Sequence, residues 1–160
     1  MALKTTVIRL QKKPAAEPLA DTFTFDSYDL PSSLEPGHVI LKALWISVDP
    51  YIRGALWKTK TNSIITSPQI AQVVRSNDSK LKIGDVISGM GLQWSTYSVF
   101  KANPKAYRLI MTGNAVRNGM DLSAHLGPLG LVGITAYQGL FDIAKLQKGE
   151  NVFVSGAAGL

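Results

Sequence analysis

The residues with the plainest chemical potential are Gly156-Ala157-Ala158-Gly159, which follow the short β-branched and aromatic run Val152-Phe153-Val154. Small side chains after a strand permit a sharp bend and let a pyrophosphate approach backbone N–H groups. The chemistry on offer there is phosphate binding by the backbone. An ordinary strand-to-loop turn uses the same glycines, and the next turn, the crossover helix and the acidic ribose-binding residue of a full dinucleotide fingerprint would fall past Leu160. On spacing alone both readings stay open. Other reactive types are scarce. Cysteine is absent, so there is no thiolate nucleophile, no disulfide and no cysteine-ligated zinc. His38 and His125 stand far apart in sequence, one at a strand start and one before a glycine-proline turn. Each reads as structural, and no metal site is expected.

The glycine cluster needs elements to position it. From Gly130 to Ala144 the apolar residues Leu131, Ile134, Leu140, Phe141 and Ile143 recur at roughly helical spacing, which predicts an amphipathic helix. Lys145 and Lys148 suit its C-terminal end. Lys148-Gly149-Glu150-Asn151 then makes a turn into Val152-Phe153-Val154, which reads as a buried parallel strand.

Upstream the pattern is β. Strands are expected at Lys4 to Leu10, at Phe23 to Tyr28 and at His38 to Val48, with a proline-bearing loop from Gln11 to Asp21 and a turn from Pro31 to Gly37. His38 to Val48 is apolar on both faces and is expected to be central. Further short strands at Ile70 to Arg75, Asp85 to Ser88 and Ser95 to Phe100, spaced by Asn77-Asp78-Ser79, Gly84 and Met90-Gly91, suggest a barrel or sandwich. Asp121 to Leu126 reads as a short helix. The chain therefore divides into an all-β portion and the beginning of something α/β.

Composition bounds the function. The 160 residues are 46% hydrophobic and 18% charged, the balance of a globular protein and not of a disordered one. Lysine and arginine exceed the acids by 17 to 11, a net charge of +6. The basic residues are scattered from Lys4 to Lys148, and Lys12-Lys13, Lys58-Lys60 and Lys80-Lys82 are too short to mark a nucleic-acid stripe. No apolar run approaches the roughly 20 residues that span a bilayer, and no signal-peptide pattern opens the chain. The expectation is a cytoplasmic protein with no nucleic-acid or membrane partner.

Two motifs carry a family resemblance. Ser47-Val48-Asp49-Pro50-Tyr51-Ile52-Arg53-Gly54 resembles the hallmark at the end of a core strand in the zinc-independent medium-chain reductases of the 2-alkenal and 15-oxo-prostaglandin reductase family. Gly133-Ile134-Thr135-Ala136-Tyr137-Gln138-Gly139-Leu140, then Lys148-Gly149-Glu150 and Ala157-Ala158-Gly159, resembles the junction into that family's nucleotide-binding domain. The two blocks occur in family order. The resemblance implies a GroES-like partial barrel over residues 1–125, followed over 126–160 by one helix and the first strand of an NADP-binding Rossmann domain. It implies NADPH-dependent reduction of a carbon–carbon double bond conjugated to a carbonyl, without metal.

Carried over by position, Pro50, Thr135, Ala158, Gly159 and Leu160 would bind cofactor, while Tyr51 and Arg53 would meet substrate. Tyr51 is also the candidate for offering a hydroxyl to the carbonyl, although lining the pocket is the simpler role. The stretch Thr66 to Val74 departs from the family, with Gln69 and Ile70 where a glycine-rich approach belongs. Relatives in this family continue well past the equivalent of Leu160 and often dimerise. The chain is therefore expected to represent about half of an enzyme and to be inactive alone. Quinone reduction and a non-catalytic GroES-like binding module remain the alternatives.

Overall fold

The computed structural model describes residues 3–15, 18–111 and 121–156. Strand β1 (Lys4–Leu10) turns Thr5 and Val7 inward at the two-residue period of a pleat. It pairs antiparallel with β2 (Phe23–Asp29) along its whole length, from Lys4 opposite Asp29 to Leu10 opposite Phe23. The other edge of β1 is bonded as well. The N–H of Ile8 donates to the Trp94 carbonyl at 2.9 Å, and the N–H groups of Ile65 and Thr96 donate to the carbonyls of Ile8 and Thr6 at 3.0 and 2.9 Å. These bonds curl the two-stranded sheet onto a larger one and make the mainly β, partly closed barrel that the resemblance implies.

The larger sheet is antiparallel throughout and contains β3 (His38–Ile46), β4 (Thr66–Asn77), β5 (Val86–Gln93), β6 (Tyr97–Lys101) and β7 (Tyr107–Met111), in the order β6-β3-β4-β5-β7. The centre belongs to β4 and not to β3, which lies between β4 and the edge strand β6. Both faces of β3 are nevertheless covered at Val39, Ile40 and Leu41. One cluster under the sheet joins Val39, Leu41, Ala71, Val73, Leu81, Ile87 and Leu92. A second joins Leu10 and Ile65 to two residues of a helix that sequence reasoning read as a loop.

That helix is α1 (Pro50–Lys58). Pro50 occupies its first position, where a missing N–H costs nothing and the fixed φ is already helical. Ile52 and Leu56, one turn apart, bury against Leu10 and Ile65, contributing about 1.5–3 kcal/mol each. The C-terminal carbonyls are held from outside: the Lys13 ammonium donates to the carbonyls of Leu56 at 3.1 Å and Trp57 at 2.6 Å, and also to that of Thr59. A cation at a helix C-terminus meets both the unsatisfied carbonyls and the negative end of the dipole.

The stretch where glycine was expected, Thr66 to Val74, is strand, with register shifts against β3 at Val74 and Leu44 and a bulge against β5. Gln69 pairs with Gly89 and Ser67 with Leu92, so Met90 and Gly91 together oppose Pro68. The positive φ that a bulge demands, +70°, is adopted by Gly91 on the partner strand. Pro68, which has no N–H to lose, sits where the ladder is already interrupted. Gln69 is buried and its Nε2 donates to the carbonyls of Leu92 at 2.7 Å and Gln93 at 2.8 Å, satisfying groups that the bulge leaves unpaired.

A 3-10 turn (Leu122–His125) leads to α2 (Leu131–Tyr137), which continues as a π-helical turn to Ile143. The run matches the helix expected from Gly130 to Ala144. Its apolar face is uncovered, with Leu131 63% and Ile143 80% exposed. No helix among the described residues is long and apolar enough to cross a membrane. Val152-Phe153-Val154 does not form the expected buried strand: it has no ladder partner among the described residues, and Phe153 is 90% exposed. Strand-like composition is not enough without a neighbouring strand to accept its backbone groups.

Candidate functional site

A cleft of about 820 Å³ opens where the ends of the large sheet face α2, within the size range of small-molecule sites. Ser47 and Asp49 enter it from the end of β3, Tyr51 from the first turn of α1, Pro68 from β4, and Ser88 and Met90 from β5. Thr135, Ala136 and Gly139 form the helical wall. Alternation places Ser88 and Met90 on one side of β5.

At the mouth, the Ser47 hydroxyl donates to Asp49 Oδ1 at 2.8 Å and fixes that carboxylate. The Tyr51 phenol titrates above its ordinary value of 10.0, raised first by burial and then by the Asp49 carboxylate. Its hydroxyl therefore stays protonated near neutral pH and is a hydrogen-bond donor. The Thr135 hydroxyl donates to the Leu131 carbonyl at 2.8 Å within its own helix, leaving its oxygen lone pairs toward other partners.

The start of α2 packs closely on the loop before it. A Cβ on Gly130 would stand 2.4 Å from the His125 carbonyl oxygen, and one on Gly133 would stand 1.8 Å from that of Pro128. Only glycine fits either position, so the angle at which α2 leaves the loop is narrowly set.

Of the residues singled out by sequence, Tyr51 and Thr135 meet in this cleft. Pro50 and Arg53 lie on α1 outside its wall, Pro50 serving as the helix start. Ala158, Gly159 and Leu160 lie outside the described residues, as does most of the glycine cluster. Sequence reasoning missed Arg108 and gave His125 a structural role, yet both line the cleft. Arg108 Nη2 donates to His125 Nδ1 at 3.1 Å and to the Leu129 carbonyl at 3.2 Å. Burial, and secondarily the neighbouring Arg108, hold His125 below its ordinary 6.5. His38 stands apart, beside Pro36 and Glu35. Among the described residues no group of three or more histidine, aspartate or glutamate side chains could hold a metal ion.

Residues 6–107 match the family described as "N-terminal domain of oxidoreductase". The chain is 38% identical over 159 residues to YfmJ of Bacillus subtilis, by name an NADP-dependent oxidoreductase, covering 95% of this chain and 44% of that protein. It is 35% identical over 150 residues to prostaglandin reductase 1 of Sus scrofa, covering 94% and 44%. Among solved structures, CurA of Vibrio vulnificus in complex with NADPH superposes with a TM-score of 0.73 at 25% identity, over 91% of this chain and 42% of CurA. The chain thus spans less than half the length of these proteins.

Proposed function

The chain belongs to the family of N-terminal domains of medium-chain, NADP-dependent oxidoreductases, and from that premise we propose that its cleft reduces the carbon–carbon double bond of α,β-unsaturated aldehydes and ketones. The activity is proposed for a protein of the relatives' full length that carries these residues. For the 160 residues alone the expected result is weak NADPH binding and no turnover. The observation that carries the reading is the placement of the Tyr51 phenol, a hydrogen-bond donor beside Asp49, in a largely apolar cleft walled by Thr135.

The residues present fit the nicotinamide end of such a cofactor. The cleft has room for a planar ring and a small enone together, and on its helical wall a Cβ at Gly139 would meet nothing within 4 Å. The hydroxyls of Ser47, Ser88 and Thr135 offer polar contacts along the walls. When bound, NADPH supplies the hydride that the β-carbon of the enone accepts. Tyr51 donates a hydrogen bond to the carbonyl oxygen, where negative charge develops. Asp49, fixed by Ser47, stands beside that phenol at the mouth. The apolar walls keep bulk water from the reacting carbons, and the proton at the α-carbon comes from solvent at the cleft mouth. No metal is required by these roles.

The test is NADPH oxidation by the full-length protein with a simple enone, its saturated ketone and a quinone. Turnover of the enone alone supports the reading, and Tyr51→Phe should then lower kcat/KM about tenfold to 150-fold, the value of one hydrogen bond to a charged oxygen. Quinone turnover without enone turnover would move the assignment to quinone reduction, and silence on both would reject it.

A further inference from the structure

Arg108 bonds across from the described residues of 3–111 to those of 121–156, to His125 Nδ1 and to the Leu129 carbonyl. The rest of that junction is apolar, with Leu122 and Leu126 packed on Ile70, Val86 and Ile110. Apolar contact is non-directional and tolerates sliding, whereas a planar guanidinium bonded to two acceptors fixes an orientation. The two acceptors flank the turn from which α2 starts, and the close approaches at Gly130 and Gly133 leave that turn no slack. Whatever Arg108 fixes at residues 125–129 is therefore carried rigidly to Thr135.

We propose that Arg108 is a positioning residue, a clamp that sets the helical wall bearing Thr135 against the sheet wall bearing Tyr51, and that neutral His125 is required for the clamp to close. The inference rests on the enone-reductase reading for its catalytic consequence but not for the clamp itself. The proton logic follows from the geometry. Nδ1 accepts from Arg108 only while it carries no proton, so the imidazole is neutral with its proton on Nε2. Protonation would set N–H against N–H beside a guanidinium. The other titratable groups lining the cleft are Asp49 and Tyr51, both at the start of α1; the lining residues of β4, β5 and α2 carry none. Because the folded state disfavours the imidazolium, the clamp is fully present above the ordinary histidine value and is lost as pH falls through the lower folded one.

Hydrogen exchange on the 160-residue chain tests the clamp without any activity. Arg108→Met should speed exchange of the amides of residues 131–137 about threefold to tenfold while leaving the strands β3 and β4 unchanged, which excludes general unfolding. His125→Asn keeps an acceptor near the place of Nδ1 but cannot titrate. It should hold wild-type protection, corrected for intrinsic rates, at acid pH where the wild type loses it. Unchanged exchange in Arg108→Met, or the same acid loss in His125→Asn as in wild type, would overturn the proposal. In the full-length protein Arg108→Met should lower kcat/KM for the enone by a similar factor, and His125→Asn should flatten its acid limb. A clamp visible by exchange with no effect on kcat/KM would overturn the positioning role. A wild type that reduces no enone would reject the functional reading alone, since exchange still decides the clamp.

Discussion

Residues 3–111 and residues 121–156 are built on opposite terms. The first region contains every buried residue described, many of them in three apolar clusters. The second has helical periodicity and good local geometry but no fully buried residue; Leu122 and Leu126 pack on the sheet, while Leu131, Ile134, Phe141 and Ile143 face solvent. The sheet region closes its core with its own residues, so its conformation is over-determined by packing. The helical region takes its direction from a glycine-tight turn and two hydrogen bonds. The cleft lies between them, one wall rigid by burial and the other by a clamp.

The contrast is sharpest in the cores. Ile70→Ala, at a fully buried position of β4, should cost about 2–5 kcal/mol in urea unfolding. Phe153→Ala, 90% exposed, should stay within about 0.5 kcal/mol. Equal costs would mean that the helical region packs in solution against something it does not touch here. A smaller loss should follow Gln69→Leu, which removes the donor to the buried Leu92 carbonyl and one of two donors to that of Gln93, at about 1–3 kcal/mol by the same measurement. If it proves neutral, the bulge is held by its backbone alone. Lys13→Met is expected to cost less than either core change, about 0.5–1.5 kcal/mol in thermal unfolding, from loss of the charged cap on α1. Lys13→Arg should recover part of it.

Much of the sheet region could be read directly. β1 was anticipated to the residue because apolar and polar positions alternate with one face buried, and β3 because the run from Val39 to Leu41 is apolar on both faces. α1 was missed although Pro50 and the Ile52–Leu56 spacing announce it, because the motif was read through its likeness to a family loop. β7 was missed because five residues carry too little pattern, and with it went Arg108, whose role exists only once β7 lies beside the loop at His125. Tyr51 and Thr135 were found through motif likeness; no local pattern in the chain could show that they share a cleft. Val152-Phe153-Val154 failed for the opposite reason, since composition describes a side chain's preference and not whether a partner strand stands beside it.

The bulge at Met90 and Gly91 separates two things that usually travel together. Removing one residue there would let Gly89 and Leu92 keep their partners in an unbroken ladder, so the sheet has no use for the extra residue. The extra residue lies beside Met90, which lines the cleft. That single position is where a variant library could lengthen, shorten or replace the wall of the cavity while leaving the foldedness of the domain almost unselected.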